Sequence, residues 1–305
     1  MEITAQSERG RALATGTIIL LLTSSAIGNK KRVSTDIVET DADKGSLSLH
    51  KKIMEAPEFQ ACLSHIAGTR DNITKRSLPS FLQRGAYLVK LEAAPLLETY
   101  LANAQENLLS LVDGMINAMP QIKEEARVRL GSLYSDADYP GEQDIRRHIN
   151  MAWRWFEIDT PDRLRSIDMM LFEKEREKAA RAFEEAVDGL TVLLRDEFRK
   201  VVAHLADRLA PDADGKKKKL FGSAVENVTE FLELFALRNV TGDEELSSLV
   251  EMTKSLMEGV DPKFIRKDDD YRASVQEDVE RVLDEIDALP VIKVSRAISF
   301  SDDDE

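Results

Sequence analysis

Residues 183–205, FEEAVDGLTVLLRDEFRKVVAHL, carry apolar side chains at Phe183, Val187, Leu190, Leu194, Phe198, Val201 and Leu205. Steps of three and four put all seven on one face of a helix. Their average lies close to eleven residues per three turns and not at a strict heptad. The stretch therefore predicts a straight helix packed in a bundle, or a slightly right-handed supercoil, and not a left-handed zipper. Upstream, Thr160-Pro161-Asp162 is a helix-start signal in which Thr160 caps and Pro161 occupies the first turn. Read from Pro161 to Ala210, this is one helix of ~50 residues spanning roughly 75 Å. Gly189 inside it costs about 1 kcal/mol relative to alanine.

The same periodicity extends outward in both directions. Pro95 opens a helix with Leu97, Tyr100, Leu101, Ala104, Leu108, Leu111, Met115 and Met119 on its seam. Pro120 is expected to interrupt or kink it before Ile122–Leu130 resumes, and Gly131 to cap it. A turn-rich connector (132–141) and a short helix around Asp144–Trp153 come next. Beyond the polar loop Pro211–Lys219, helices are predicted over Ser223–Leu237, Asp243–Met257 and Asp270–Leu289, the last with Val275, Val279, Val282 and Ile286 on one face. Residues 1–85 are less regular. Thr17–Leu22 reads as a buried strand, with 33–38 as a partner, and 47–67 as one or two short helices broken near Pro57. Val291–Val294 is a second candidate to pair with Thr17–Leu22. The expected fold is mainly α: an elongated helical bundle or hairpin built on one long helix, with a small mixed α/β N-terminal part. The expected division is 1–85, a helical domain over 86–295, and an acidic tail over 296–305 that is mobile.

Composition fits that reading. At 43% hydrophobic and 32% charged the chain can bury a core, and the low aromatic content (6%) suits narrow helices. A net charge of -14, from 56 Asp and Glu against 42 Lys and Arg, argues against general coating of nucleic acid while leaving room for a local basic patch. The single cysteine, Cys62, precludes an internal disulfide and is expected as a small buried residue in a reducing, cytoplasmic compartment. The apolar run Ile18–Leu22 is too short to cross a membrane.

Chemistry-bearing motifs are missing. The chain has neither G-x-x-x-x-G-K-[ST] nor G-x-G-x-x-G. His50, His65, His148 and His204 stand at no metal-ligand spacing, and one cysteine builds no thiolate site. Asp41-Ala42-Asp43 and Asp136-Ala137-Asp138 echo a calcium loop but lack its later ligands. Ser48-Leu49-His50-Lys51 matches S-x-x-K without that enzyme class's companion motifs. The sequence predicts no cofactor, no metal and no enzyme. Binding is carried instead by three features. Trp153, Arg154, Trp155 and Phe156 concentrate aromatics and arginine as interface hot spots do. Lys30, Lys31 and Arg32, with Lys216, Lys217, Lys218 and Lys219, are basic segments suited to phosphates. The tail Ser301–Glu305 is an acidic peptide for a basic partner.

Leu130-Gly131-Ser132-Leu133-Tyr134, Asp138-Tyr139-Pro140 and Phe156-Glu157-Ile158-Asp159-Thr160-Pro161 resemble an uncharacterised family carried by phages, conjugative plasmids and integrative elements. Leu78-Pro79 with Arg84-Gly85-Ala86-Tyr87-Leu88 is similar to its "LP…RG…LL" stretch. Residues 246–257 with Phe264-Ile265-Arg266-Lys267-Asp268 and Arg272 extend the likeness. Its motifs are of the turn-and-packing kind, specific for fold and silent on chemistry. The resemblance implies an accessory protein of a mobile element, encoded near a MoxR-like AAA ATPase. The expected function is a non-enzymatic adaptor or assembly factor acting through protein contacts, with such an ATPase or with itself. Two alternatives stand beside it: a nucleic-acid-associated accessory protein using the basic segments, and a virion structural component.

Overall fold

The computed structural model describes residues 8–83, 85–157 and 162–292. Over these residues the chain is mainly helical with a small strand content. The elements are α1 (Glu8–Gly16), β1 (Thr17–Ser25), β2 (Lys30–Val33), β3 (Leu49–Lys52), α2 (Pro57–Arg76), β4 (Leu78–Pro79), β5 (Ala86–Lys90), α3 (Ala94–Leu130), α4 (Glu142–His148) and β6 (Asn150–Phe156). There follow α5 (Asp162–Ile167), α6 (Met169–Leu209), α7 (Gly222–Arg238), α8 (Glu244–Met257), α9 (Pro262–Lys267) and α10 (Asp269–Asp287). Strands β4-β5-β1-β6 form one sheet in that order, and β2 pairs with β3 in a separate antiparallel ribbon.

Contacts divide the chain into two compact units, neither of them continuous in sequence. The first is the described part of Met1–Leu20, Thr74–Ala94 and Trp155–Glu305; the second is Leu21–Ile73 with Pro95–Arg154. In the first unit α6 is the spine, packed by α1, α7 and α10, with α8 against both α7 and α10. Its buried face includes Phe183, Val187, Leu190, Leu194, Phe198, Val202 and Leu205; Val201, expected on this face, is only half-buried. Phe198 stacks on Phe231 of α7 at 5.0 Å, and Val275, Val279, Val282 and Ile286 of α10 are all buried. Arg272 of α10, itself buried, donates to the carbonyls of Leu209 (2.9 Å) and Arg208 (2.6 Å). It thus satisfies carbonyls that the end of α6 leaves unpaired.

The second unit is built on α3 and α2, whose Leu108, Val112, Met115, Phe59 and Cys62 meet Ile53, Met54, Tyr139 and Ile145 in one core. Cys62 is a buried free thiol, and burial pushes its pKa above the ordinary value.

Several sequence expectations need correction. The helix from Pro161 to Ala210 is two helices: the Asp168 side chain accepts from the Met170 and Leu171 amides (2.8 and 3.1 Å), ending α5 and starting α6. Thr160 and Pro161 lie outside the described residues. Pro120 does not interrupt α3, which runs on to Leu130. Pro120 itself is exposed, while Met119 and Ile122 stay in the core. Residues 47–67 are not short helices broken at Pro57; β3 comes first, and Pro57 is the first residue of α2. Residues 33–38 do not partner β1. Thr35–Ile37 is a 3-10 turn capped by Ser34, and β1 lies between β5 and β6. That placement fills both flanks of β1, where Val291–Val294 had been expected; Val291 and Ile292 form no strand, and residues 293–294 fall outside the described residues, as does the acidic tail. The short helix near Asp144 stops at His148, and Asn150–Phe156 is strand.

An exposed proline inside a helix is a cost that alanine removes. Pro120→Ala is expected to raise unfolding free energy by about 1–3 kcal/mol, read from urea denaturation.

Candidate functional site

β6 is an edge strand of its sheet. Strand alternation separates Trp153 and Trp155, both half-buried, from Arg154 and Phe156, both exposed. The Trp153 indole N–H donates to the Glu98 carboxylate at 2.7 Å, which ties it to α3. The four residues therefore do not share one face.

The basic segments differ sharply from one another. The loop holding Lys216–Lys219 is a tight turn: the Asp212 carboxylate accepts from the Asp214 and Lys216 amides, and Gly215 takes a positive φ of 74°. Lys217 pairs with Asp269, Lys218 with Asp207 at 2.6 Å, and Lys219 lies 4.8 Å from the Phe221 ring centre. The Lys218 hydrogen bond holds the Asp207 carboxyl below the usual carboxylate range. Three of these four cations already have partners in their own unit.

Lys30, Lys31 and Arg32 form most of β2, facing β3 in the register Lys30↔Lys52, Lys31↔Lys51, Arg32↔His50 and Val33↔Leu49. Pairs directly opposite share a face. One face holds Lys30, Arg32, His50 and Lys52, all exposed; the other holds Lys31, Val33, Leu49 and Lys51. Lys51 is drawn inward, pairing with Asp138 at 2.5 Å and donating to the Leu133 carbonyl. The connector supplying those groups is braced in turn. Tyr134 and Tyr139 stack at 5.5 Å, and Tyr139 donates to the Ile53 carbonyl at 3.1 Å. Arg129 donates to the Lys52 carbonyl at 3.0 Å, and the Asn29 side chain accepts from the Met54 amide at 2.8 Å. Leu133, Tyr134, Asp138 and Tyr139 of the connector thus serve to seat the ribbon on the core of the second unit.

One group went unnoticed in the sequence. Ile167, Met169, Met170 and Leu171, at the α5–α6 junction, are 77%, 50%, 84% and 40% exposed, while Phe172 beside them is buried. Their signal was present as consecutive apolar residues that no three-and-four seam can bury together. It was hidden by reading the segment as helix interior.

In the first unit an open hollow of about 600 Å³ is lined by Ala12, Gly16, Lys90, Glu92, Asn239 and Thr241. A cavity of about 20 Å³ among Val202, Leu205, Val228 and Val279 has room for about one water. A groove of about 340 Å³ is edged by charges that pair with each other, Lys75 with Glu230 at 3.1 Å and Arg238 with Glu197 at 2.5 Å. Among the described residues no three His, Cys, Asp or Glu side chains converge in a group that could hold a metal, and no helix is long and apolar enough to cross a membrane. No family model matches the chain, and no curated protein or solved structure matches it significantly.

Among the described residues the most buried ion pair links α6 to the start of α8. Arg195 grips Asp243 through two hydrogen bonds of 2.7 and 2.9 Å, and also reaches Glu245 at 2.8 Å. Burial works against the Asp243 charge, but Arg195 and the Leu246 amide outweigh it and hold the carboxyl below its ordinary value. A depressed folded-state pKa contributes stability above the unfolded value near 4, lost as pH falls through the folded value. Acid titration of wild type is expected to show this loss beginning below about pH 4. Asp243→Ala, which strands Arg195 and removes the α8 cap, is expected to cost about 3 kcal/mol at neutral pH and to flatten that acid limb.

Proposed function

We propose that this chain is a non-enzymatic adaptor that acts by holding a protein partner at the α5–α6 junction. The observation that carries this reading is the exposed run Ile167, Met169, Met170 and Leu171. Three or more consecutive exposed apolar residues are an aggregation liability, and in native proteins such patches mark surfaces that a partner covers. Methionine suits such a surface because its flexible, polarisable side chain adapts to the groove it enters. The Asp168 cap and the buried Phe172 fix the backbone beneath, so the apolar side chains are presented on a rigid helix start. Exposed Arg163 and Arg165 precede the run, and the partner fitting this chemistry offers an apolar groove with an acidic rim.

The resemblance to a family of phages and conjugative elements supports an intracellular role in a bacterial host, with a MoxR-like AAA ATPase as the first partner to seek. A tagged full-length chain, recovered from cells carrying the element with and without nuclease, is expected to retain a defined protein after nuclease. Met170→Asp with Ile167→Asp is expected to weaken that capture at least about tenfold, while leaving stability within about 0.5 kcal/mol of wild type, as surface substitutions usually do. Capture unchanged in the double variant, or lost entirely to nuclease, would overturn the adaptor reading.

A further inference from the structure

We propose that the β2–β3 ribbon is a contact surface for duplex DNA, engaged through its phosphates. Like charges directly opposite one another destabilise a β-ladder. This ribbon places two such pairs in succession, Lys30↔Lys52 and Lys31↔Lys51. On the other face Lys51, but not the exposed Lys31, pairs with Asp138. The outward face differs: Lys30, Arg32 and Lys52 stand together with His50, and among the described residues their one ion pair is Lys52 with Glu55 at 3.2 Å, itself exposed and weak. A chain of net charge -14 that concentrates unrelieved cations on one face breaks a local rule, and such breaks mark functional surfaces. The acidic residues of the loop joining the strands are partly occupied inside it. Asp36 accepts from Ser34 and pairs with Lys44, and Asp43 accepts from the Gly45 amide.

The shape selects among polyanions. Lys30 and Arg32, two residues apart on a strand, are separated by about 6.8 Å, and the two strands by about 4.8 Å. A two-stranded ribbon of this size enters the major groove of B-form DNA. The major groove of A-form RNA is too narrow to be read by side chains. Single strands are held largely by stacking on aromatic side chains, and the outward face carries no Phe, Tyr or Trp. The ribbon is also preorganised, since Arg129, Tyr139 and Asn29 pin its base to the core. Contact through phosphates alone carries no sequence preference. This inference goes beyond the adaptor reading and uses a different unit, so either can fail alone.

The test is fluorescence anisotropy of the full chain with a short labelled DNA duplex. Three phosphate contacts predict an affinity that falls roughly 40-fold between about 50 and 200 mM salt. Lys30→Glu with Arg32→Glu is expected to lower low-salt affinity at least tenfold, and Lys30→Gln with Arg32→Gln to lower it less. Lys216→Glu with Lys219→Glu is expected to stay within twofold of wild type. Thermal melting guards against misfolding: Lys30→Glu faces Lys52 with an opposite charge, so its midpoint is expected to rise. Absence of duplex binding at low salt overturns the proposal, as does a ribbon double variant that binds like wild type. Tighter binding to single-stranded DNA, polyglutamate or anionic phosphatidylserine vesicles than to duplex also overturns it.

Discussion

Burial of one apolar stripe on α6 is the constraint on which the first unit depends. Phe183 through Leu209 run along a single helix face, and α1, α7 and α10 all lie against that helix. A helix with so long a buried face needs both ends settled. Asp168 supplies acceptors for the first free amides, and Arg272 supplies donors for the last carbonyls. Both groups are charged, so each also opposes the helix dipole at its own end. Arg195 and Asp243 then tie the start of α8 to the same spine.

Much of this was legible because helical periodicity survives wherever a long element buries one face. The stripe on α10 was read correctly at every position, as was the Asp243 cap of α8. Errors gathered where a single polar residue or a short segment decides the outcome. Asp168 sits among apolar residues and could pass as one polar position in a continuous helix, yet its carboxylate ends one helix and begins another. Pro120 looked like a break, but its exposed position lets the helix continue. In β6 the side chains of Met151 to Phe156 are mostly apolar or aromatic, so period-two alternation is masked and the strand looked like a helix end. β3 was invisible because His50-Lys51-Lys52 has no strand signal of its own; it exists through its ladder to β2 and the anchoring of Ile53 and Met54.

The candidate surfaces show the same limit. Two basic segments that read alike in sequence differ in what surrounds them, since Lys217, Lys218 and Lys219 have close partners while Lys30 and Arg32 share a face with further cations. Charge runs are local in sequence, but their neutralisation is tertiary. Acidity is also unevenly spread: residues 21–73 and 95–154 hold 13 Lys and Arg against 16 Asp and Glu, so most of the net charge of -14 belongs to the rest of the chain. A mean charge therefore says little about any one surface.

The interleaving of the two units has a bearing on how the chain is made. Every segment of the second unit has been synthesised by Arg154, whereas α1 packs on a helix whose last residues follow nearly two hundred positions later. At about 5–20 residues per second, α1 waits on the order of ten to forty seconds for its partner to leave the ribosome. Leu13, fully buried in the finished protein, spends that interval without its cover. The N-terminal segment is thus a natural client for a holding chaperone, and the pace of translation through α6 sets how long that dependence lasts.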